Sequence, residues 1–249
     1  MKEQLLNQRI TPAPIRQIVQ IRLPDGRAFD GPVGTTVEEF IEVAQPETPG
    51  RIVAALVNNK LRELTQTLSS DAEIVPISTA DSDGVRIYRR SLSFLLIAAA
   101  TELFPEKTIT IDHSMPFGGY YCEAHNGEAL TQEELDRLEA RMRELVDADL
   151  PITQVRIPLD EALQLFHENK DAEKADLFAR RRKDYLTLYE LNGVRDYFHG
   201  FMVPSTGYLD LFALRPYHDG FILQFPRRHQ PRRLLPFEDE PRLARVFQE

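Results

Sequence analysis

The sequence predicts an α+β chain in two parts, a small β-rich unit followed by a larger unit of strands and helices. Three observations carry that reading. The 249 residues suffice for two domains. Near the start, Val19, Ile21 and Leu23 alternate with Gln20 and Arg22, the period of a half-buried strand. Further on, stretches of helical periodicity with their start signals separate strand-like runs. The polar segment Ala80-Asp81-Ser82-Asp83-Gly84 marks the junction. The expected divisions are a lead segment 1–16, a first domain 17–79, a second domain 80–225 and a terminal segment 226–249 that turns from basic to acidic.

In the first domain, Pro24-Asp25-Gly26 is a turn signal and Arg27-Ala28-Phe29 returns as a second strand. Thr36 and Glu39 have the spacing of a capping box, ahead of the apolar stripe Val37, Phe40, Ile41 and Ala44. Pro46 ends that helix. Ile52–Val57 reads as a third strand, Asn58-Asn59 as a tight turn because Asn tolerates positive φ, and Ile74–Ile77 as a last strand. Two strands, a helix and more strands suggest a β-grasp fold.

In the second domain, Leu92 to Phe104 is apolar on nearly all sides, so a buried helix is expected. Thr108–Ile111 and Tyr120–Ala124 read as strands. Thr131 and Glu134 form a second capping-box signal, before a helix with Leu135, Leu138, Met142 and Leu145 on one face. Ile152–Ile157 is a strand, Leu159–Glu168 and Ala172–Lys183 are helical, and Leu186–Leu191, Tyr208–Leu214 and Phe221–Phe225 complete a mixed sheet.

Composition narrows the function classes. A hydrophobic content of 42% is that of a packed globular protein, and the longest apolar run, Leu92 to Ala100, is too short to cross a bilayer. Met1-Lys2-Glu3-Gln4 lacks the apolar core of a signal peptide. Cys122 is the only cysteine, which fits a reducing cytoplasm. A net charge of −9 argues against a protein coated with nucleic acid. Arginines nonetheless cluster at Arg86, Arg89 and Arg90, at Arg180 to Lys183, and at Arg227, Arg228, Arg232 and Arg233. These clusters make RNA or a nucleotide phosphate the first partner to consider. The alternative for the last cluster is a solvated linker offset by Glu238, Asp239 and Glu240.

Several phrases resemble known families. Leu23-Pro24-Asp25-Gly26, Gly34-Thr35-Thr36 and Ala55-Leu56-Val57-Asn58 resemble a TGS domain, which implies a regulatory or RNA-contacting module. Arg89-Arg90-Ser91-Leu92-Ser93-Phe94 stands where a threonyl-tRNA synthetase editing domain reads His-Ser-x-x-His. Phe198-His199-Gly200-Phe201-Met202-Val203-Pro204-Ser205-Thr206-Gly207 is similar to that family's Cys-x-Gly-Pro-His-Val-Pro-Ser-Thr-Gly. Phe104-Pro105 and Gly119-Tyr120-Tyr121 also match, so the resemblance runs over roughly residues 85–215 and implies a domain of the threonyl/alanyl-tRNA synthetase editing type. It places Arg90, Phe94, Phe198 and Met202 at the four metal-ligand positions. Phenyl rings have no lone pair to offer, a thioether is too soft for zinc, and a permanent guanidinium cation repels a metal ion. On this reading the chain has no metal site and no catalytic residues.

Tyr88–Leu92, Met202–Leu209 and Gly220–Pro226 resemble the front half of long bacterial nucleoside kinases of the uridine kinase and phosphoribulokinase type. That resemblance implies a non-catalytic regulatory or RNA- or nucleotide-binding region. It also implies a kinase domain in cis beyond this chain, which alone would need ATP and Mg. No phosphate loop of the form Gly-x-x-x-x-Gly-Lys-Ser/Thr occurs among the 12 glycines. The alternative is a hydrolase of the synthetase editing type working without the quartet, through water held by Arg90 or Lys183. A third alternative is a pure assembly module, since no oligomeric state can be read from the sequence.

Phe94, Phe198 and Met202 either fill the vacated space as core or line an apolar pocket, and a buried Arg90 requires an anion or carboxylate. His113, Cys122 and His125 were weighed as a substitute metal site, but Cys122 and His125 face opposite ways on a continued strand and a fourth ligand is not evident. Ser205-Thr206-Gly207 reads as a turn. Asp184, Glu190 and Asp196 read as surface carboxylates.

Overall fold

The computed structural model describes residues 14–115, 118–169 and 172–237. Most of the expected lead segment and the acidic Glu238, Asp239 and Glu240 lie outside the described residues. The backbone divides into two compact units. One holds the described residues up to Pro46 with Ala55–Val75, and the other holds Glu47–Ala54 with the described residues from Pro76 onward.

The first sheet contains β1 (Ile18–Arg22), β2 (Ala28–Pro32), β3 (Ile52–Val57), β4 (Lys60–Arg62) and β5 (Ala72–Ser78), in the order β2-β1-β5-β3-β4. β1 runs antiparallel to β2 and parallel to β5. Helix α1 (Val37–Ala44) begins at the expected capping box: Thr36 Oγ1 accepts from the Glu39 N–H at 3.2 Å, and the Glu39 carboxylate accepts from the Thr36 N–H at 2.7 Å. It buries Val37, Phe40, Ile41 and Ala44, the predicted stripe. Asn58 and Asn59 make the β3–β4 turn at φ of 49° and 63°, the left-handed region that Asn tolerates.

The second unit begins with α2 (Ser82–Leu103), which starts ten residues before the expected Leu92. The polar connector is the reason. Asp81 is the N-cap residue, and its carboxylate turns back to accept from the Ser78 N–H at 2.8 Å, so Ser82-Asp83-Gly84 already form the first turn. The arginines at 86, 89 and 90 therefore ride on the helix. The strands β6 (Thr108–Met115), β7 (Gly119–His125), β11 (Ala213–Tyr217) and β12 (Gly220–Gln224) form a sheet in the order β11-β12-β7-β6. The strands β8 (Thr153–Pro158), β9 (Tyr185–Leu191) and β10 (Val194–Asp196) form a second sheet, β10-β9-β8. The α+β class holds, and these strands divide between two antiparallel sheets.

Two expected elements shift. Residues 206–208 form a 3₁₀ turn, and the strand expected from Tyr208 begins only at Ala213, where it pairs with β12 around a His218-Asp219 turn. The second of two helices, α4 (Leu159–Glu168) and α5 (Ala172–Ala179), stops four residues before Lys183. The Arg181 N–H folds back to the Phe178 carbonyl at 2.9 Å, and the basic run that follows lies at the surface. These helices pack on β8 and β9 through Ile157, Ala162, Phe166, Phe178, Leu186 and Leu188. Among the described residues no helix is long and apolar enough to cross a membrane.

Helix α3 (Gln132–Asp147) carries the second capping box, where the Glu134 carboxylate accepts from the Thr131 N–H at 2.9 Å and lies 3.1 Å from Lys107 Nζ. The Thr131 N–H, followed by Lys107, holds the Glu134 carboxyl below its ordinary value. A lowered folded pKa stabilises above the unfolded value of about 4.3, and that stabilisation is lost as pH falls through the folded one. Glu134→Gln should therefore lower stability by about 0.5 kcal/mol at pH 7 and not at pH 2. Phe166→Ala, at a position 1% exposed, should cost about 3–5 kcal/mol at both pH values. Urea denaturation of each variant checks both.

Candidate functional site

Helix α2 carries Arg90 and Phe94 one turn apart on the same face. The segment Tyr197–Ser205, which follows β10, carries Phe198 and Met202. The structure brings these positions together. The Phe94 and Phe198 rings lie 5.1 Å apart at 54°, and Phe94 is fully buried. Arg90 donates from Nη1 to the Phe201 carbonyl at 2.5 Å. Its guanidinium also lies against Gly200, where an added Cβ would sit 2.9 Å from Arg90 Cζ. Gly200 has φ of +106°, so two independent constraints require glycine there. Met202 is 1% exposed in the same segment. Phe94 and Met202 are buried, Phe198 is half-buried against Phe94, and Arg90 donates to a backbone carbonyl.

The neighbouring side chains hold the segment in place. Ser91 Oγ donates to the Ile87 carbonyl at 2.9 Å and accepts from the Val203 N–H at 3.0 Å. Tyr189 on β9 donates its hydroxyl proton to the Gly200 carbonyl at 2.9 Å, and Gln154 on β8 donates to that hydroxyl at 2.9 Å. Ser205-Thr206-Gly207 is a turn, as expected. The Asp149 carboxylate accepts from Ser205 Oγ and from the Gly207 N–H, and Thr206 Oγ1 accepts from the Leu150 N–H at 2.8 Å. Thr206 Oγ1 also donates to the Leu145 carbonyl, so that hydroxyl is spent on the backbone.

Asp196 departs from the surface reading. Its side chain is 13% exposed, and it pairs with Lys174 of α5 at 2.7 Å and accepts from the Tyr197 N–H at 2.6 Å. It lies opposite Tyr189 across β10 and β9. Lys174, which the sequence reading missed, sits in a run of alternating charges that looks like any exposed helix face. Glu190 pairs with Arg195 at 2.5 Å, and Asp184 is exposed.

The weighed His113–Cys122–His125 set does not converge on an open site. Cys122 is fully buried in β7, and burial raises its thiol pKa far above the ordinary range. His125 is exposed, with Nε2 2.8 Å from Thr110 Oγ1, and His113 is exposed too. Among the described residues no group of three or more His, Cys, Asp or Glu is arranged to hold a metal ion.

Four of the seven arginines considered for anion binding hold protein groups. Arg86 pairs with Asp83 at 3.2 Å, Arg90 holds Phe201, Arg232 donates to the Thr48 carbonyl at 2.8 Å, and Arg233 donates to Gln230 at 3.0 Å. Arg228 is exposed. Arg89 and Arg227 point elsewhere, Arg89 over the Phe225 ring at 4.4 Å and Arg227 against Gly118. Lys183 is exposed, its Nζ 5.5 Å from the Tyr185 ring centre.

The comparisons with known proteins point to one class of relative. No protein-family model matches the chain. Threonine–tRNA ligase from Burkholderia vietnamiensis is 36% identical over 203 residues, which cover 79% of this chain and 31% of the relative. The Methylococcus capsulatus enzyme is 34% identical over 200 residues, covering 78% of this chain and 30% of that protein. The Methylobacillus flagellatus enzyme is 36% identical over 200 residues, with coverage of 78% and 31%. The chain thus spans about a third of the length of the curated relatives it matches.

These matches correct the expectation of a uridine kinase or phosphoribulokinase relative. The similar proteins are tRNA ligases, and the expected kinase domain in cis has no support. The ATP and Mg tied to that domain go with it. The kinase-like phrases at Tyr88–Leu92 and Met202–Leu209 are short and fall on α2 and on the stretch after Tyr197, where packing and local hydrogen bonds engage them. The fold agrees with the synthetase editing type.

Gly200→Ala tests the packing at Arg90. It should lower stability by about 1–3 kcal/mol, through both the positive φ and the displaced guanidinium. Chemical denaturation beside Gly193→Ala, which also has positive φ but no neighbour within 4 Å, isolates the contribution of Arg90.

Proposed function

We propose that this chain is an editing-type region of the threonyl-tRNA synthetase kind that engages tRNA in the cytoplasm without metal-dependent hydrolysis, with a TGS-like module over 17–79 ahead of it. Similarity to threonine–tRNA ligases over 79% of the chain supports the tRNA partner. The observation that carries the loss of hydrolysis is the ring pair Phe94 and Phe198 at 5.1 Å, packed where the resemblance puts coordinating atoms. An imidazole and a thiolate there would converge on an ion, whereas two phenyl rings exclude water from the same volume.

A second reading, hydrolysis of aminoacyl-tRNA without the quartet, is favoured by the part-buried Lys174–Asp196 pair near Tyr189. An ion pair in that position is able to orient a water, and Lys174 takes the role first considered for Arg90 or Lys183. Arg90 donates to Phe201, and Lys183 is exposed.

One preparation tests both readings. The purified chain should bind tRNA saturably, with affinity falling as salt rises, and should deacylate seryl-tRNA no faster than buffer does. Turnover lost in Lys174→Ala and kept in Lys183→Ala would establish the second reading. Stoichiometric zinc by elemental analysis, together with turnover, would overturn the first.

A further inference from the structure

We infer that Arg156, Lys183 and Tyr185, at the open end of one face of the β8–β9 sheet, form a contact surface for the backbone of single-stranded RNA. This inference rests on the tRNA reading above.

Strand register sets the face. Arg156 lies opposite Thr187 and Pro158 opposite Tyr185, so these side chains alternate away from Val155, Ile157, Leu186 and Leu188, which pack with helices α4 and α5. At one end of the face Tyr189 is buried and holds the Gly200 carbonyl. At the other end Arg156 and Lys183 are exposed and Tyr185 is half-buried. Arg156 Cζ lies 4.3 Å from the Tyr185 ring centre, and Lys183 Nζ lies 5.5 Å from it. The two cations share one ring, so their separation cannot exceed those two distances taken together.

Neither cation is consumed by the fold. Among the described residues Arg156 and Lys183 form no ion pair and donate no hydrogen bond to a protein acceptor. Asp184, next in the chain, is exposed and pairs with neither. By contrast Arg16, Arg27, Arg51, Arg141, Arg143 and Arg195 each pair with a carboxylate. Contact with the tyrosine ring uses the face of the Arg156 guanidinium and leaves its in-plane N–H donors open to a phosphate. The outer face of that guanidinium offers a plane on which an unpaired base stacks, which a base paired in a duplex cannot reach. The backbone that presents Lys183 is pinned on both sides. The Arg181 N–H donates to the Phe178 carbonyl at 2.9 Å, and the Leu159 N–H donates to the Asp184 carbonyl at 2.9 Å. Arg180 and Arg182 of the same run are exposed and add positive charge beside the ring. The run alone would not define a surface; the ring shared by cations from β8 and from the approach to β9 does.

The test is fluorescence anisotropy of the whole chain with a labelled single-stranded RNA, a duplex of the same sequence and a whole tRNA. The single strand should bind more tightly than the duplex. Arg156→Gln should weaken that binding about tenfold and reduce the salt slope by about 0.7, and Lys183→Gln should weaken it about threefold. Tyr185→Leu should weaken it about threefold, and Tyr185→Phe, which keeps the ring, should restore it. Arg22→Gln makes the same charge change at an exposed position on β1 and should change binding less than about twofold. The contact acts on binding alone, so Lys183→Ala in the deacylation assay should raise the tRNA concentration at half-saturation and leave saturated turnover as it was. If tRNA binds and both charge variants behave like Arg22→Gln, the surface is overturned and the tRNA reading stands. Tighter binding of the duplex, or of tRNA with no binding of the single strand, overturns the surface alone. If no RNA binds the wild-type chain, the tRNA reading fails and the surface falls with it. Thermal melts report folding, and should Tyr185→Leu fail to fold, the two exposed charge variants carry the test.

Discussion

The Tyr197–Ser205 segment has no regular secondary structure, and its shape depends on two consecutive residues of α2. Arg90 takes the Phe201 carbonyl, and Ser91 takes the Val203 N–H. A bound metal would cross-link a helix and a distant segment at such a point, and the link would depend on the ion being present. A guanidinium makes the same connection without an ion. It is charged at every accessible pH, its hydrogen bond is charge-assisted, and its flat face needs only the bare backbone of Gly200 beneath it. In this chain a cation that is covalently part of the helix joins it to the segment.

That brace explains why the phenyl rings are tolerated. Once Arg90 and Ser91 fix the segment, Phe94 and Phe198 have only to fill volume, which is what aromatic side chains do at low entropic cost. The polar residues around them are also committed. Tyr189 satisfies the Gly200 carbonyl and is itself held by Gln154, Asp149 takes the Gly207 N–H, and Thr206 donates to the Leu145 carbonyl. Residue types that suggest chemistry in a sequence are here used to satisfy buried N–H and carbonyl groups in a segment without secondary structure. Asp196 likewise takes the Tyr197 N–H beside its pairing with Lys174.

Elements with local causes were legible in the sequence. Both capping boxes, the Asn58-Asn59 turn and the stripe of α1 follow from side chains within a few residues of the backbone they serve. The start of α2 was not, because Asp81 uses its carboxylate on Ser78, behind the helix, so a capping residue reads as a loop. The late start of β11 has a distant cause as well. Thr206 is held by the carbonyl of Leu145 and the N–H of Leu150, some sixty residues earlier, and no local pattern reveals that. Arg90, Phe94 and Phe198 were legible as a spatial group only through the resemblance, since i and i+4 spacing places the first two together and leaves the third anywhere.

Arg89 and Arg90 show why a run of like charges does not define a site. Adjacent helix positions differ by about 100°, so the two guanidinium groups leave α2 in different directions. Arg90 meets a carbonyl, so one of its donors is spent on the backbone. Arg89 meets an aromatic face, which accepts the cation and leaves its N–H unanswered. The same sorting applies further along, where Arg232 and Arg233 are engaged by protein acceptors and Arg227 meets none among the described residues. What separates a structural arginine from a binding one is the identity of the acceptor already in place.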